Sequence, residues 1–186
     1  QNLIPDSPGA TGNQSTVHWH GANIPAWTDG GPHQFFYPVE TGLFPNTFTP
    51  KFKVLDNPCT LWYHPHAEDV TYTQVQMGLA GIIIVKETGD PVDAIAPHTY
   101  GHDDFPLILQ DIYFQADTAA NGDTISYSID TLKVGAGRTM VTNGTVQPFL
   151  DVPAQPVRFR MLNGSTRNSY MLSFVTDPSG QGRDTS

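Results

Sequence analysis

Short hydrophobic stretches alternate with polar turn residues along the whole chain. Runs rich in Val, Ile, Thr, Tyr and Phe are separated by clusters of Gly, Pro, Asn and Asp, a pattern typical of β-strands. Residues 68–77 fit a short helix instead. The pattern predicts strands over residues 15–20, 47–54, 60–64, 80–85, 105–113, 124–129, 157–162 and 170–174. Evenly spaced short strands with turn residues between them favour an all-β sandwich or barrel.

The strand pattern breaks over residues 88–104, where Gly, Pro and acidic residues dominate and periodicity is weak. Most of the histidines precede this break, and the β unit that begins at Phe105 contains none. We therefore predict two domains, spanning residues 1–95 and 96–186. Chemistry based on histidine is expected in the first of them.

The composition limits the class of protein. Hydrophobic residues make up 38% of the 186 residues, enough to build a core, and no apolar run approaches the ~20 residues of a membrane span. The formal charge is −9, and the nine basic residues are scattered. Nucleic-acid binding needs clustered Lys and Arg, so we exclude it. The single cysteine, Cys59, excludes an internal disulfide framework and a thiolate-rich zinc site.

Two His-x-His pairs lie at the ends of predicted strands. The first pair is His18 and His20 in Val-His-Trp-His-Gly, and the second is His64 and His66 in Trp-Tyr-His-Pro-His. Side chains at positions i and i+2 of a strand point to the same face, two rises of about 3.3 Å apart. If the two strands are neighbours, all four imidazoles converge on one patch.

Four imidazoles without thiolate partners favour copper or a cluster of several metal ions, because structural zinc sites are usually rich in thiolate. Cys59 suggests a rival, a blue-copper site of two His and one Cys with Met77 as the axial ligand. Cys59 and His64 are an odd number of positions apart, however, so they would face opposite sides of one strand. Cys59 is therefore predicted to be a small buried hydrophobic residue.

The other histidines, His33, His98 and His102, lie in Gly- and Pro-flanked sequence and are predicted to be exposed or locally hydrogen-bonded. A zinc hydrolase is disfavoured as well, because no Glu accompanies a His pair as a general base. Glu68 and Asp69 follow the second pair closely but are predicted to be turn residues.

The sequence around both pairs resembles the first two copper motifs of the multicopper oxidases, a laccase-like family. The similar segments are residues 16–21, 29–32, 61–66, 76–85, 109–111, 142–144 and 158–164. The resemblance is strongest to three-domain bacterial members such as copper-efflux oxidases, bilirubin oxidases and spore-coat laccases. It implies an all-β, cupredoxin-like Greek-key β-sandwich: one nearly complete domain that lacks its opening strand, followed by part of a second.

The resemblance also implies a role for each motif residue. His18 corresponds to a ligand of the type 2 copper in a trinuclear cluster. His20 and His64 correspond to ligands of one type 3 copper, and His66 to a ligand of the other. Asp29 corresponds to the acidic residue that hydrogen-bonds near the cluster and helps to deliver protons to reduced oxygen.

The family couples oxidation of a small-molecule reducing substrate, phenolic or cuprous ion, to the four-electron reduction of dioxygen to water. Membership of this family implies that copper is the cofactor and that dioxygen and the reducing substrate are partners. It also implies a periplasmic or extracellular location. The chain departs from the family pattern because nothing after His66 resembles the remaining copper motifs or the His-Cys-His segment of the type 1 site. We therefore expect the remaining C-terminal cupredoxin portion as a partner, and the 186 residues alone to be inactive.

Two other interpretations are weighed against the oxidase. A copper-binding or structural cupredoxin module without catalysis would be similar to the cell-division relative of the family, which keeps the fold and lacks copper. Retention of all four motif histidines argues against it. A two-domain nitrite reductase or small laccase would carry a His-Cys pair, and the chain has none.

Overall fold

The computed structural model describes residues 14–37, 47–118, 122, 124–130 and 137–174. Most of the regular elements in this part of the chain are strands, which confirms the predicted all-β class. The strands are β1 His18–His20, β2 Cys59–His64, β3 Gly81–Val85, β4 Asp104–Ile112, β5 Phe114–Thr118, β6 Thr124–Ile129, β7 Thr139–Thr142, β8 Thr145–Val146 and β9 Arg158–Asn163. The helix α1 spans Thr71–Gln76, and 3-10 turns span Ala26–Thr28 and Pro91–Ala94. Within these residues, no helix has the length and apolar character to cross a membrane.

The first sheet places β2 between β1 and β3, and both pairings are antiparallel. Tyr63 of β2 lies opposite Trp19 of β1 on one side and opposite Gly81 of β3 on the other. A Cβ atom at residue 81 would lie 2.3 Å from the Tyr63 ring, so glycine leaves the room that this ring occupies. Tyr63 and Trp19 therefore share one face of the sheet, and the paired histidines of β1 and β2 share the opposite face.

The second sheet has the order β8–β7–β4–β9, in which β4 and β9 run parallel and the other pairs are antiparallel. β7 and β8 form a hairpin whose turn residues, Asn143 and Gly144, both have positive φ, as a two-residue hairpin turn requires. β5 and β6 pair antiparallel in a separate two-stranded sheet. The buried hydrophobic residues of the second sheet are Phe105, Leu109, Ile112 and Val141.

A buried ion pair within the second sheet supports a hydrogen bond between the two sheets. Arg160 of β9 donates to both carboxylate oxygens of Asp104 on β4, with its shortest contact at 2.7 Å. A further guanidinium nitrogen of Arg160 donates to the hydroxyl of Thr60 on β2 at 2.9 Å. Asp104 is fully buried and Arg160 is 8% exposed. Because buried charges are stable only when they are paired, the Asp104 carboxylate holds Arg160 in the position from which it contacts Thr60.

The structure corrects several strand predictions. Residues 47–54 and 170–174 were expected to form strands but are irregular. In the first of these segments Pro50 lacks an N–H to donate to a ladder, and Phe52 packs its ring on Trp19 without strand pairing. β5, β7 and β8 lie outside the predicted strands, and α1 lies within the predicted helical segment.

Candidate metal centre

Four imidazoles meet at one end of the first sheet. The β1–β2 register sets His18 opposite His64, and His20 lies two positions further on the same face. His66 follows just beyond the end of β2. The His18 ring centroid lies 5.4 Å from that of His20, 5.3 Å from that of His64 and 5.0 Å from that of His66. The two histidine pairs therefore share one patch.

Two features of this patch favour a metal ion. The Nδ1 of His20 lies 3.1 Å from the Nε2 of His64, and one nitrogen from each of these residues and His18 lies within 4.8 Å of the others. His66 lies at the edge, with its ring 5.8 Å from that of His64. Its Nδ1 is buried and has no hydrogen-bond partner among the described residues. A buried nitrogen without a partner is costly unless something binds it.

A tight loop brings Asp29 to the same patch. Gly30 has a φ of +66°, and a Cβ there would lie 2.0 Å from the carbonyl oxygen of Val17, so glycine lets the loop lie against the backbone that enters β1. The side chain of Gln34 closes the loop with hydrogen bonds of 2.7 and 3.0 Å to its backbone. Asp29 is thereby held beside His18.

Carbonyl oxygens orient two of the rings. The Nδ1 of His18 lies 3.0 Å from the carbonyl oxygen of Asp29 and 3.1 Å from its carboxylate Oδ1. The Nδ1 of His64 lies 2.7 Å from the carbonyl oxygen of Pro65. Because a carbonyl can only accept a hydrogen bond, both rings carry a proton on Nδ1 and have a lone pair on Nε2, which in His64 faces the Nδ1 of His20. Neutral imidazole with a free lone pair is the form that binds a metal.

The helix α1 and Thr16 hold the strand ends in place. Gln74 of α1 is 1% exposed; it accepts from the Ser15 hydroxyl at 3.0 Å and donates to the Gln14 carbonyl at 2.6 Å. The hydroxyl of Thr16 accepts from the backbone N–H of His66 at 2.5 Å. The segment that enters β1 is therefore bound both to α1 and to the residues after β2, which keeps the two histidine pairs together.

Desolvation and repulsion between the imidazoles favour the neutral forms of His64 and His20. Burial lowers the pKa of His64 to about 4; the Pro65 carbonyl opposes this shift, and the neighbouring imidazoles reinforce it. Partial desolvation also lowers the pKa of His20, although this residue lies at the surface; His18 and His66 reinforce the shift and Asp29 opposes it. Imidazoles that resist protonation let a cation bind at mildly acidic pH without displacing protons.

Cys59 lies outside this patch. It begins β2 opposite Val85, and the uninterrupted ladder places it on the other face of the strand from His64. Burial, with Asp56 nearby, raises the pKa of its thiol. A raised pKa disfavours the thiolate form that binds metals. Its position agrees with the rejection of a blue-copper site from the sequence.

The histidines outside the two pairs lie at the surface, as predicted. His33 is 76% exposed and its Nδ1 lies 3.4 Å from the Glu68 carboxylate. The Nδ1 of His98 lies 3.1 Å from the carbonyl oxygen of Ala96, and His102 is 63% exposed. None of the three belongs to the group of converging nitrogens found in the described part of the chain.

Sequence reasoning missed two residues of the site. Trp62 lies opposite His20 in the β1–β2 ladder, and its ring stacks on the His64 imidazole with centroids 4.2 Å apart. Thr16 binds the backbone of His66. Each precedes a motif histidine by two positions, so the two-residue period that relates the histidines of each pair would have found both.

The fold has close counterparts among solved structures. The chain superposes on the laccase-like multi-copper oxidase CueO from Ochrobactrum sp. with a TM-score of 0.63 and 32% sequence identity, over 82% of this chain and 32% of that one. The cupredoxin-like Greek-key class is thereby confirmed. Fold and histidine patch together define a cupredoxin-like protein with a candidate copper centre.

Sequence comparison gives the family. The multicopper oxidase family model matches residues 10–90. The chain is 34% identical over 166 residues to the multicopper oxidase mco of Staphylococcus epidermidis, covering 89% of this chain and 34% of that protein. It is 32% identical over 152 residues to the cell division protein FtsP of Escherichia coli, covering 82% and 30%. The chain belongs to the multicopper oxidase family, and it spans about a third of the length of these relatives.

Proposed function

We propose that this chain supplies part of the copper centre of a laccase-like multicopper oxidase, which oxidises a small-molecule substrate and reduces dioxygen to water. The observation that carries the proposal is the 3.1 Å contact between His20 Nδ1 and His64 Nε2 within a patch of four imidazoles. With metal–nitrogen bonds of about 2.0 Å, both nitrogens can reach one ion. The Ochrobactrum oxidase acts on lignin model compounds and lignosulfonate, which supports a phenolic substrate; cuprous ion stays the alternative.

The donor set fits copper, since neutral imidazole is one of its preferred ligands and the buried Nδ1 of His66 lacks a partner among the described residues. In this proposal His18 binds the type 2 copper. His20 and His64 bind one type 3 copper, and His66 binds the other. The close approach of His20 to His64 supports their joint assignment, and the assignments of His18 and His66 follow the family motifs.

Bound copper would supply one-electron redox chemistry, with four electrons and four protons converting one dioxygen into two waters. The residues of this chain bind, orient and handle protons. The Oδ1 of Asp29 lies 3.1 Å from the Nδ1 of His18, and the Asp29 side chain is 33% exposed. This carboxylate therefore contacts both a proposed ligand and solvent. In that position it can take a proton from water and pass it toward the centre, as a general acid–base group does.

The proposal divides the work between the two parts of the chain. The four candidate ligands and Asp29 lie in residues 1–95, the proposed first cupredoxin domain. Residues 96–186 form part of a second domain without copper ligands. The type 1 copper and the other cluster ligands would come from a C-terminal cupredoxin portion of the oxidase, so this chain alone would not turn over substrate. The family relationship supports a periplasmic or extracellular location.

Copper titration of the purified chain tests the proposal. We expect the chain to bind copper without the intense blue colour of a thiolate-ligated site. His64→Gln should remove most of this binding, whereas the matched control His33→Gln, at an exposed histidine outside the patch, should leave it intact. A chain that binds no copper, or one whose binding survives His64→Gln unchanged, would contradict the proposal.

A second candidate function is a copper-binding or structural module without catalysis. The 32% identity to FtsP, a cell division protein, favours it. The convergence of four imidazoles favours the oxidase. Oxygen consumption separates the two: the chain joined to a C-terminal cupredoxin portion should consume oxygen with a phenolic substrate if it belongs to an oxidase, and should bind copper without consuming oxygen if it is a module.

A further inference from the structure

Trp62 contacts both imidazoles of the His20–His64 pair. It lies opposite His20 in the β1–β2 ladder and precedes His64 by two positions on the same face. The Trp62 ring centroid is 4.2 Å from that of His64 and 5.1 Å from that of His20, with interplanar angles of 32° and 34°. The Trp62 indole therefore contacts both imidazole rings, and it is tilted from each of them by nearly the same angle.

His20 depends on such a support more than His64 does. His64 is buried, and its Nδ1 is held by the Pro65 carbonyl. His20 is exposed, and its ring contacts are with His18, His64 and Trp62. Of these three, Trp62 is the one that is not itself a proposed copper ligand. An exposed side chain can populate several rotamers, and a flat ring packed against it removes some of them.

We propose that Trp62 is a positioning residue whose indole face holds the His20 and His64 rings so that His20 Nδ1 and His64 Nε2 face one copper ion. This inference rests on the proposed function and deepens it. Trp62 is not a ligand, because its indole nitrogen is a donor only. Without the indole, the two imidazoles must become ordered as the metal binds. We expect the copper affinity to fall by about tenfold or more, as it does when groups that orient metal ligands are removed.

Three variants of the chain separate this role from a general effect on the sheet. Trp62→Leu removes the flat face, and Trp62→Phe keeps a smaller one. Trp19→Leu removes an indole from the opposite face of the same ladder, where Trp19 packs on Phe52 and Tyr63. Copper affinity is measured by competition with a chromophoric chelator. It should fall most in Trp62→Leu, less in Trp62→Phe, and stay near the wild-type value in Trp19→Leu.

NMR relaxation of the histidine rings in the metal-free chain gives a readout that is independent of copper. Trp62→Leu should increase the mobility of the His20 ring while the backbone signals of β1 and β2 stay those of a folded sheet. Wild-type copper affinity together with wild-type order of the His20 ring would overturn the inference. If Trp62→Leu does not fold, Trp62→Phe is the test, and wild-type copper affinity together with wild-type order of the His20 ring in that variant would overturn the inference.

The two proposals can fail separately. If the wild-type chain binds no copper, the proposed function fails, and the mobility of the His20 ring in the Trp62 variants still decides whether Trp62 positions it. If the wild-type chain binds copper and the Trp62 variants match it in affinity and ring order, the positioning role alone fails.

Discussion

The Nδ1 of His20 and the Nε2 of His64 lie 3.1 Å apart, although 44 positions separate the two residues in the sequence. β1 brings one nitrogen and β2 brings the other, so the contact exists when these strands pair. A site assembled in this way is present in the folded chain and absent from the unfolded chain. Metal binding and folding are therefore coupled.

Copper should raise the thermal stability of the chain. A free copper concentration about 100 times the Kd adds about 2.7 kcal/mol to the free energy of unfolding if the unfolded chain does not bind copper. Thermal melts followed by circular dichroism, with and without copper, measure this gain. His64→Gln should lose most of it and His33→Gln should keep it. An equal gain in both variants would place the copper outside the histidine patch.

Gly30→Ala should destabilise the chain more than Gly89→Ala. Both glycines have positive φ, which costs other residues roughly 1–2 kcal/mol. A Cβ at residue 30 would also lie 2.0 Å from the Val17 carbonyl oxygen, whereas nothing lies within 4 Å of one at residue 89. We expect about 1 kcal/mol for Gly89→Ala and about 3 kcal/mol or more for Gly30→Ala, from urea unfolding. Equal losses would mean that the Asp29 loop shifts away from β1 at little cost.

Arg160→Met should be strongly destabilising. It leaves the carboxylate of Asp104 buried without its partner, and removing one member of a buried ion pair typically costs about 3–5 kcal/mol. Arg158→Met, two positions earlier on β9 at a half-exposed residue, is the control and should cost less than about 1 kcal/mol. The two variants are compared by chemical unfolding. Similar losses would show that the buried pair contributes little to the stability of the chain.

Acid should weaken the metal-free chain through His64. The unfolded residue titrates near pH 6.5, while burial lowers its pKa in the folded chain to about 4. Between these values the unfolded state binds more protons than the folded state. The stabilisation is therefore complete above about pH 6.5 and is lost as the pH falls toward about 4.

Urea unfolding at about pH 7 and about pH 4.5 tests this pH dependence. His64→Gln should lose less stability between the two conditions than His33→Gln, which keeps the buried imidazole. Equal losses in the two variants would assign the acid sensitivity to other groups.

The two-residue period of a strand accounts for much of the candidate site. It predicts that the histidines of each pair share a face and that Cys59 faces away from His64. The pairing of β1 with β2, and hence the 3.1 Å contact, could not be predicted from this period. Strand pairing is a contact between distant parts of the chain, and it is supported here by buried hydrogen bonds of Gln74 and Thr16 to partners 60 and 50 positions away in the sequence.

The wrong strand predictions have a similar cause. Residues 170–174 have a strand-like composition, but Tyr170 donates its hydroxyl to the Asp111 carboxylate at 3.2 Å and the residues after it are exposed, so composition alone does not form a ladder there. In the β7–β8 hairpin, the Asn143–Gly144 pair indicates the turn in the sequence. The flanking strands have four and two residues, too few to show an alternation of hydrophobic and polar positions. Composition indicates which backbone a segment favours, and the tertiary partners decide whether it forms.

Thr60 and His64 belong to the same strand, and the guanidinium of Arg160 reaches that strand from the histidine-free sheet. The Arg160–Thr60 hydrogen bond and the backbone between Thr60 and His64 therefore connect β9 to one imidazole of the patch. The sheet that carries no histidine is thus anchored by one hydrogen bond to the strand that carries His64.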